Sequence, residues 1–121
     1  MPQTVLILGA SDKKERYAFK AFRALRAAGH TVVPVNPRLA AVEGVPCLPD
    51  IAAVKGPVDT VTLYVRPEIL RPMADALIAL KPRRVIFNPG TEDEAIEAQL
   101  KQSGITALRA CTLVLVKTGK F

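Results

Sequence analysis

The chain of 121 residues contains no tryptophan, a single histidine and only two cysteines, and each scarcity removes a class of function. Cys47 and Cys111 lie far apart with no CxxC spacing, so neither a disulfide framework nor a zinc site is encoded. Reduced thiols in a cytoplasmic protein are the expectation. His30 has no second histidine and no clustered ligands beside it, which leaves a catalytic metal without a ligand set. Aromatic residues make up 5% of the chain, and no aromatic-rich basic stripe of the kind that grips nucleic acid is present. No apolar run approaches the roughly 18 residues of a membrane span. The N-terminus also lacks the basic region and apolar core of an export signal, so an unprocessed protein away from membranes is expected.

Apolar residues are plentiful, at 50% of the chain, enough to bury a core as one domain over residues 1–121 without disulfide or metal. The formal charge is +6, with lysines and arginines spread along the chain rather than gathered in a tail. That spread suits a phosphorylated small molecule at least as well as nucleic acid.

Strand and helix patterns alternate, which predicts an α/β fold: a doubly wound, mainly parallel sheet flanked by helices. The apolar run Thr4 to Leu8 reads as the first strand. Ala18, Ala21, Phe22 and Leu25 share one helical face, and Gly29 closes that helix. Thr31 to Val35 reads as the second strand and Asn36-Pro37 ends it, with a short third strand expected around Val45 and a helical turn from Ile51 to Val54. Thr60 to Val65 is the next strand. Leu70, Met73, Ala74 and Leu77 then mark a helix that tolerates Pro72 only in its first turn. Val85 to Phe87 is a buried strand. Thr91 and Glu94 have the form of a capping box, which predicts a helix from near Glu92 to Gly104. A last strand lies around Thr106 to Leu108, and the apolar tail from Cys111 to Val116 fits strand or helix alike.

In a sheet of this kind the ligand sits beyond the carboxyl ends of the strands, where the strand order reverses. Four loops are expected to converge there: Gly9, Ala10, Ser11 and Asp12 with the cations Lys13, Lys14 and Arg16; Asn36, Pro37 and Arg38; Tyr64, Val65, Arg66 and Pro67; and Asn88, Pro89 and Gly90. The first loop leads from a strand into a helix, where backbone N–H groups favour an anion. Each loop also has an ordinary reading. Gly9 suits any turn that has no room for a Cβ, and Asp12 with Glu15 could cap a helix. Asn36-Pro37 terminates a strand, Tyr64 and Val65 could be core, and Asn88-Pro89-Gly90 is a turn in any case.

The residues favour some ligands over others. The dinucleotide fingerprint needs second and third glycines after Gly9 and an acid near the end of the second strand, and this chain has neither. Arg38 stands in that region instead, where it would tolerate a phosphorylated ribose such as that of NADP or coenzyme A. The helix after Gly90 is a poor anion site because Glu92, Asp93 and Glu94 crowd its positive end.

Taken together and in order, Val5 to Lys13, Val33 to Pro37, Lys81 to Glu92 and Ala110 to Val114 resemble the CoA-binding domain family. These are small stand-alone proteins similar to the N-terminal, CoA-binding, Rossmann-like domain of the succinyl-CoA synthetase α subunit. The resemblance covers nearly the whole chain. It implies that Gly9 to Lys13 hold the CoA phosphates and that Asn36 to Arg38 lie near the adenosine and its 3′-phosphate. It further implies that Tyr64 to Pro67 flank the adenine or pantetheine, and that Asn88 to Gly90 line the crevice. The synthetase domain that carries a phosphorylated histidine has no counterpart here, and His30 lies far along the chain from the four loops.

No catalytic constellation accompanies these loops. Ser11 has no base near it in sequence, and Cys111 lies in an apolar stretch where burial makes a thiol inert. The reading is a non-catalytic module that binds CoA or an acyl-CoA, alone or as the regulatory partner of a larger enzyme. The alternative is an NADP-dependent enzyme or redox sensor, for which a catalytic Tyr-Lys pair or a substrate domain is wanting.

Overall fold

Five parallel strands form the main sheet of the computed structural model, which describes residues 2–121. They are β1 (Thr4–Leu8), β2 (Thr31–Val35), β5 (Thr60–Leu63), β6 (Arg84–Phe87) and β7 (Thr106–Arg109), in the spatial order β2-β1-β5-β6-β7. The register is continuous: Leu6 pairs with Val33 on one side and Val61 on the other, and Val61 pairs in turn with Val85. Pro34 is accommodated because β2 is the edge strand of this sheet.

The period-two alternation of β1 divides the core between the two faces of the sheet. Leu6 and Leu8 join Val61, Leu63, Val85 and Phe87 under α3 (Ala74–Leu80) and α4 (Glu94–Gln102). Val5 and Ile7 face the opposite way, under Ala18, Phe19, Phe22 and Leu25 of α1 (Tyr17–Ala27). Each buried Val, Leu, Ile or Phe side chain among these contributes about 1.5–3 kcal/mol of transfer free energy. The last helix, α5 (Thr112–Lys117), lies beside α1 and resolves the tail that patterning left open.

The structure corrects several expectations. The residues around Val45 form β4 (Val45–Pro46), which pairs antiparallel with β3 (Ala41–Val42) in a separate ribbon and does not join the main sheet. A third strand on that side is reduced to one residue: Leu48 bridges Val35, with its N–H donating to Pro34 and its carbonyl accepting from Asn36. The middle strand of the sheet is therefore β5. Pro72 does lie in a first turn, that of a short 3-10 helix, Arg71–Met73, which splits the segment into α2 (Pro67–Leu70) and α3. A second proline, Pro67, is the first residue of α2, where its missing N–H costs nothing.

The capping box at Thr91 and Glu94 is absent. Asp93 caps α4, its carboxylate accepting from the Ala95 and Ile96 N–H groups at 3.0 and 3.2 Å, and the helix starts at Glu94. Arg71 pairs with the same carboxylate at 2.8 Å and, with those N–H groups, holds it below the usual carboxylate range. Thr91 instead turns its hydroxyl back to donate to the Asn88 carbonyl at 2.8 Å.

Candidate functional site

The chain runs from β1 to β2 on one side, then crosses back to β5 on the other side of β1, so the strand order reverses between β1 and β5. An open cavity of about 500 Å³ lies there, at the carboxyl ends of the strands. Gly9, Ala10, Ser11, Asp12, Lys13 and Arg16 line it from the loop after β1. Asn36 and Arg38 contribute from the loop after β2, and Tyr64 from the end of β5.

Gly9 is required by both conformation and space. Its φ is +90°, and a Cβ at this position would stand 2.8 Å from Val65 Cγ1 and 3.0 Å from the Tyr64 carbonyl. The first loop thus lies directly on the end of β5, which brings Tyr64 to the cavity. The N–H groups of Gly9 and Ala10, expected to face an anion, are instead both spent on the Val35 carbonyl at 3.1 Å. The donors left for a ligand begin further along, at the Ser11 and Asp12 N–H groups, which have no partner among the described residues.

The helix starts several residues after the loop. Arg16 is the N-cap of α1 and Tyr17 its first residue, so Lys13 and Lys14 precede the helix in a turn closed by an Arg16 N–H to Lys13 carbonyl bond of 3.1 Å. Asp12 and Glu15 form no capping box: α1 has no side-chain cap and no acid in its first turn. Ser11 is not a cap either, since its hydroxyl accepts the Lys13 N–H at 3.1 Å and shapes the loop. The positive end of α1 is thereby left open to an anion, whereas α4 already carries Asp93, Glu94 and Glu97.

Asn36 ties the second loop to the first. Its amide donates to the Ala10 carbonyl at 2.7 Å, and its side-chain oxygen accepts the Arg38 N–H at 2.8 Å in a local turn. Lys13, Arg16 and Arg38 form no ion pair among the described residues, whereas Arg23, Arg71 and Arg109 pair with Glu43, Asp93 and Glu97. Tyr64 is mostly buried, and that burial pushes its phenol up to about 12. It therefore remains a protonated donor at neutral pH.

The four loops do not contribute equally. Lys14 and Pro37 flank the lining without joining it, and Val65 acts through its contact with Gly9. Arg66 and Pro67 are the N-cap and first residue of α2. Asn88, Pro89 and Gly90 do not line the cavity. Asn88 is buried, and its amide donates to Thr62 Oγ1 at 2.6 Å and to the Leu63 carbonyl at 2.8 Å, while its oxygen accepts the Thr112 N–H at 2.9 Å. Its side chain fastens β6 to β5 and α5.

Sequence reasoning missed Tyr17, Ala18 and Leu39, which also line the cavity. The available signal was that Tyr17 falls off the apolar face that Ala18, Ala21, Phe22 and Leu25 define. Among the described residues no group of three His, Cys, Asp or Glu side chains could hold a metal ion, and no helix is long and apolar enough to cross a membrane.

A family model described as CoA binding domain matches residues 3–117. Protein YneT of Bacillus subtilis (strain 168) is 26% identical over 104 residues, spanning 86% of this chain and 77% of that protein. Among solved structures, cell-free ID.343 from Thermus thermophilus is 30% identical and superposes with a TM-score of 0.90, covering 99% of this chain and 91% of its own. The Ca. Korarchaeum cryptofilum dinucleotide forming acetyl-coenzyme A synthetase 1, in complex with phosphate and ADP, is 20% identical with a TM-score of 0.75. That match covers 88% of this chain and 25% of the synthetase, and at this identity it shows a shared fold. With the family model spanning nearly its whole length, the chain belongs to the CoA binding domain family.

Proposed function

We propose that this protein binds coenzyme A or an acyl-CoA in the crevice between the loops after β1, β2 and β5, as a cytoplasmic, non-catalytic binding module. The observation that carries the reading is the set of three cavity cations, Lys13, Arg16 and Arg38, that have no carboxylate partner among the described residues. Three cations beside a single lining carboxylate, Asp12, with which none of them pairs among the described residues, fit a ligand that brings several negative charges of its own. CoA brings a pyrophosphate and a 3′-phosphate. The Ser11 and Asp12 N–H groups and the uncapped start of α1 supply further donors to the pyrophosphate. Arg38, which lines the cavity from the loop after β2, takes the 3′-phosphate of the ribose in this reading.

A dinucleotide such as NAD fits less well. The first loop has no second glycine at the fingerprint spacing, and no acid follows β2 to take the ribose hydroxyls; Asn36 is there, with both ends of its amide already bonded. The test is thermal unfolding with CoA, acetyl-CoA, NAD and NADP. A ligand that binds only the folded state adds about 2.7 kcal/mol at a hundred times its dissociation constant. CoA and acetyl-CoA are expected to raise the midpoint more than NAD, and equal or greater stabilisation by NAD would reject the reading.

A further inference from the structure

Tyr17 is an aromatic side chain that the fold does not use. The apolar face of α1 is complete without it, because Ala18, Phe19, Ala21, Phe22 and Leu25 carry the contact with the sheet. The ring is 67% exposed. Among the described residues the other exposed large hydrophobics are Ile69 and Val114, and neither lines the cavity, whereas Tyr17 does. Lys20 Nζ stands 5.2 Å from the centroid of its ring, which braces the side chain along the helix. A large flat ring is therefore held, exposed, in the lining of a cationic cavity, directly after Arg16 and in the same lining as Arg38.

We infer that Tyr17 is the stacking platform for the purine base of the ligand. The inference rests on the CoA reading of the crevice and adds the group that recognises the adenine. With Arg16 and Lys13 on the pyrophosphate and Arg38 on the ribose phosphate, the base is expected within the same lining, where Tyr17 stands beside Arg16. Tyr17 is the exposed aromatic surface in that lining. Removing the aromatic ring under a stacked base weakens binding by about five- to hundredfold, and the stacking does not depend on hydrogen-bond readout. Tyr64, the other tyrosine of the cavity, is mostly buried, so its face is less open to a base. The role assigns Tyr17 to the adenosine half of the ligand and to no part of the pantetheine arm.

Three probes separate the halves of the ligand: CoA, 3′-phosphoadenosine 5′-phosphate and 4′-phosphopantetheine, each titrated calorimetrically into wild type, Tyr17→Phe and Tyr17→Ala. Tyr17→Ala is expected to bind CoA and 3′-phosphoadenosine 5′-phosphate about tenfold more weakly, with 4′-phosphopantetheine unchanged and Tyr17→Phe close to wild type. The ligand-free unfolding midpoints confirm that the variants are folded, as the exposed position allows. Equal CoA affinity in Tyr17→Ala, or an equal loss for 4′-phosphopantetheine, would overturn the stacking role while leaving the crevice intact. A wild type that binds no CoA fails the reading of the crevice itself, and the stacking role fails with it.

Discussion

The side-chain amide of Asn36 donates to the Ala10 carbonyl at 2.7 Å, so one residue after β2 sets the distance between the two loops that form the cavity. The same side chain accepts the Arg38 N–H at 2.8 Å and turns Arg38 toward the cavity. Asn36→Asp keeps the acceptor for Arg38 but loses the donor to Ala10, placing a carboxylate against a carbonyl oxygen. The variant is expected to lose about 1–2 kcal/mol of stability by urea unfolding, the cost of a missing partly buried hydrogen bond. Its CoA dissociation constant is expected to rise by a larger factor, about tenfold or more, because a negative charge enters the proposed phosphate site. Unchanged affinity in the folded variant would show that the loop spacing does not matter.

Asn88 makes the opposite prediction. Its three side-chain hydrogen bonds, to Thr62, Leu63 and Thr112, join β6, β5 and α5 in the interior. Asn88→Ala leaves the Leu63 carbonyl and the Thr112 N–H without these partners, and each buried orphan costs about 1–3 kcal/mol. A loss of about 2–4 kcal/mol in urea unfolding is expected. CoA affinity measured where the variant is fully folded should remain near wild type, since Asn88 does not line the cavity. A large affinity loss with little destabilisation would return the residue to the ligand site.

The contrast between these two asparagines shows what the sequence made legible. Both stand in an Asn-Pro pair at the end of a strand, and nothing local distinguishes Asn36, at the cavity, from Asn88, in the core. The alternation of strands and helices, and the loops that flank β1, followed from apolar periodicity and Gly9. What periodicity could not carry was any feature fixed by polar contacts across the sheet. The tail was undecided because α5 docks through Thr112, fully buried with its hydroxyl 2.7 Å from that of Thr62, while apolar Val114 is 56% exposed. The β2 edge misled for a related reason: Leu48 supplies a single bridge where a whole strand was expected, and the apolar residues near it went into the β3–β4 ribbon. Tyr17 was hidden because the helical periodicity that marks α1 rests on Ala18, Ala21, Phe22 and Leu25, and Tyr17 lies outside it as the first residue of the helix.

At the other end of the sheet, His30 accepts the Gln3 N–H through Nδ1 at 2.9 Å and lies against the Phe121 ring with centroids 5.1 Å apart. Burial, aided by the charge of Arg84, pushes its pKa below 6.5. The neutral form is the one that can accept the Gln3 N–H, so the folded state resists protonation. Above about pH 6.5 both folded and unfolded chains carry a neutral imidazole, and the contribution is fully present. As pH falls through 6.5 the unfolded chain takes up the proton first, and stability declines until the folded-state pKa is passed. Urea midpoints compared between pH 7.5 and pH 5.5 should fall less in His30→Gln than in wild type. An identical decline in both proteins would assign the acid sensitivity to other groups.

Arg38 carries the sharpest test of ligand identity. Its backbone is fixed by the Asn36 turn, it lines the cavity, and it pairs with no carboxylate among the described residues. A guanidinium presents paired donors that match phosphate oxygens, whereas an exposed arginine without a ligand contributes little. The probes are CoA and dephospho-CoA, which differ by the 3′-phosphate alone. Wild type is expected to prefer CoA by about 1.5–3 kcal/mol, the range for a hydrogen bond to a charged group. Arg38→Ala should bind dephospho-CoA as wild type does and lose most of that preference, so the coupling appears in the double comparison and not as a general weakening. Raising the salt concentration should shrink the wild-type preference only in part, because a bidentate contact inside a cavity is screened less than a free surface charge. A preference that survives in Arg38→Ala would move the 3′-phosphate to another cation, with Arg16 on the facing loop the next to replace.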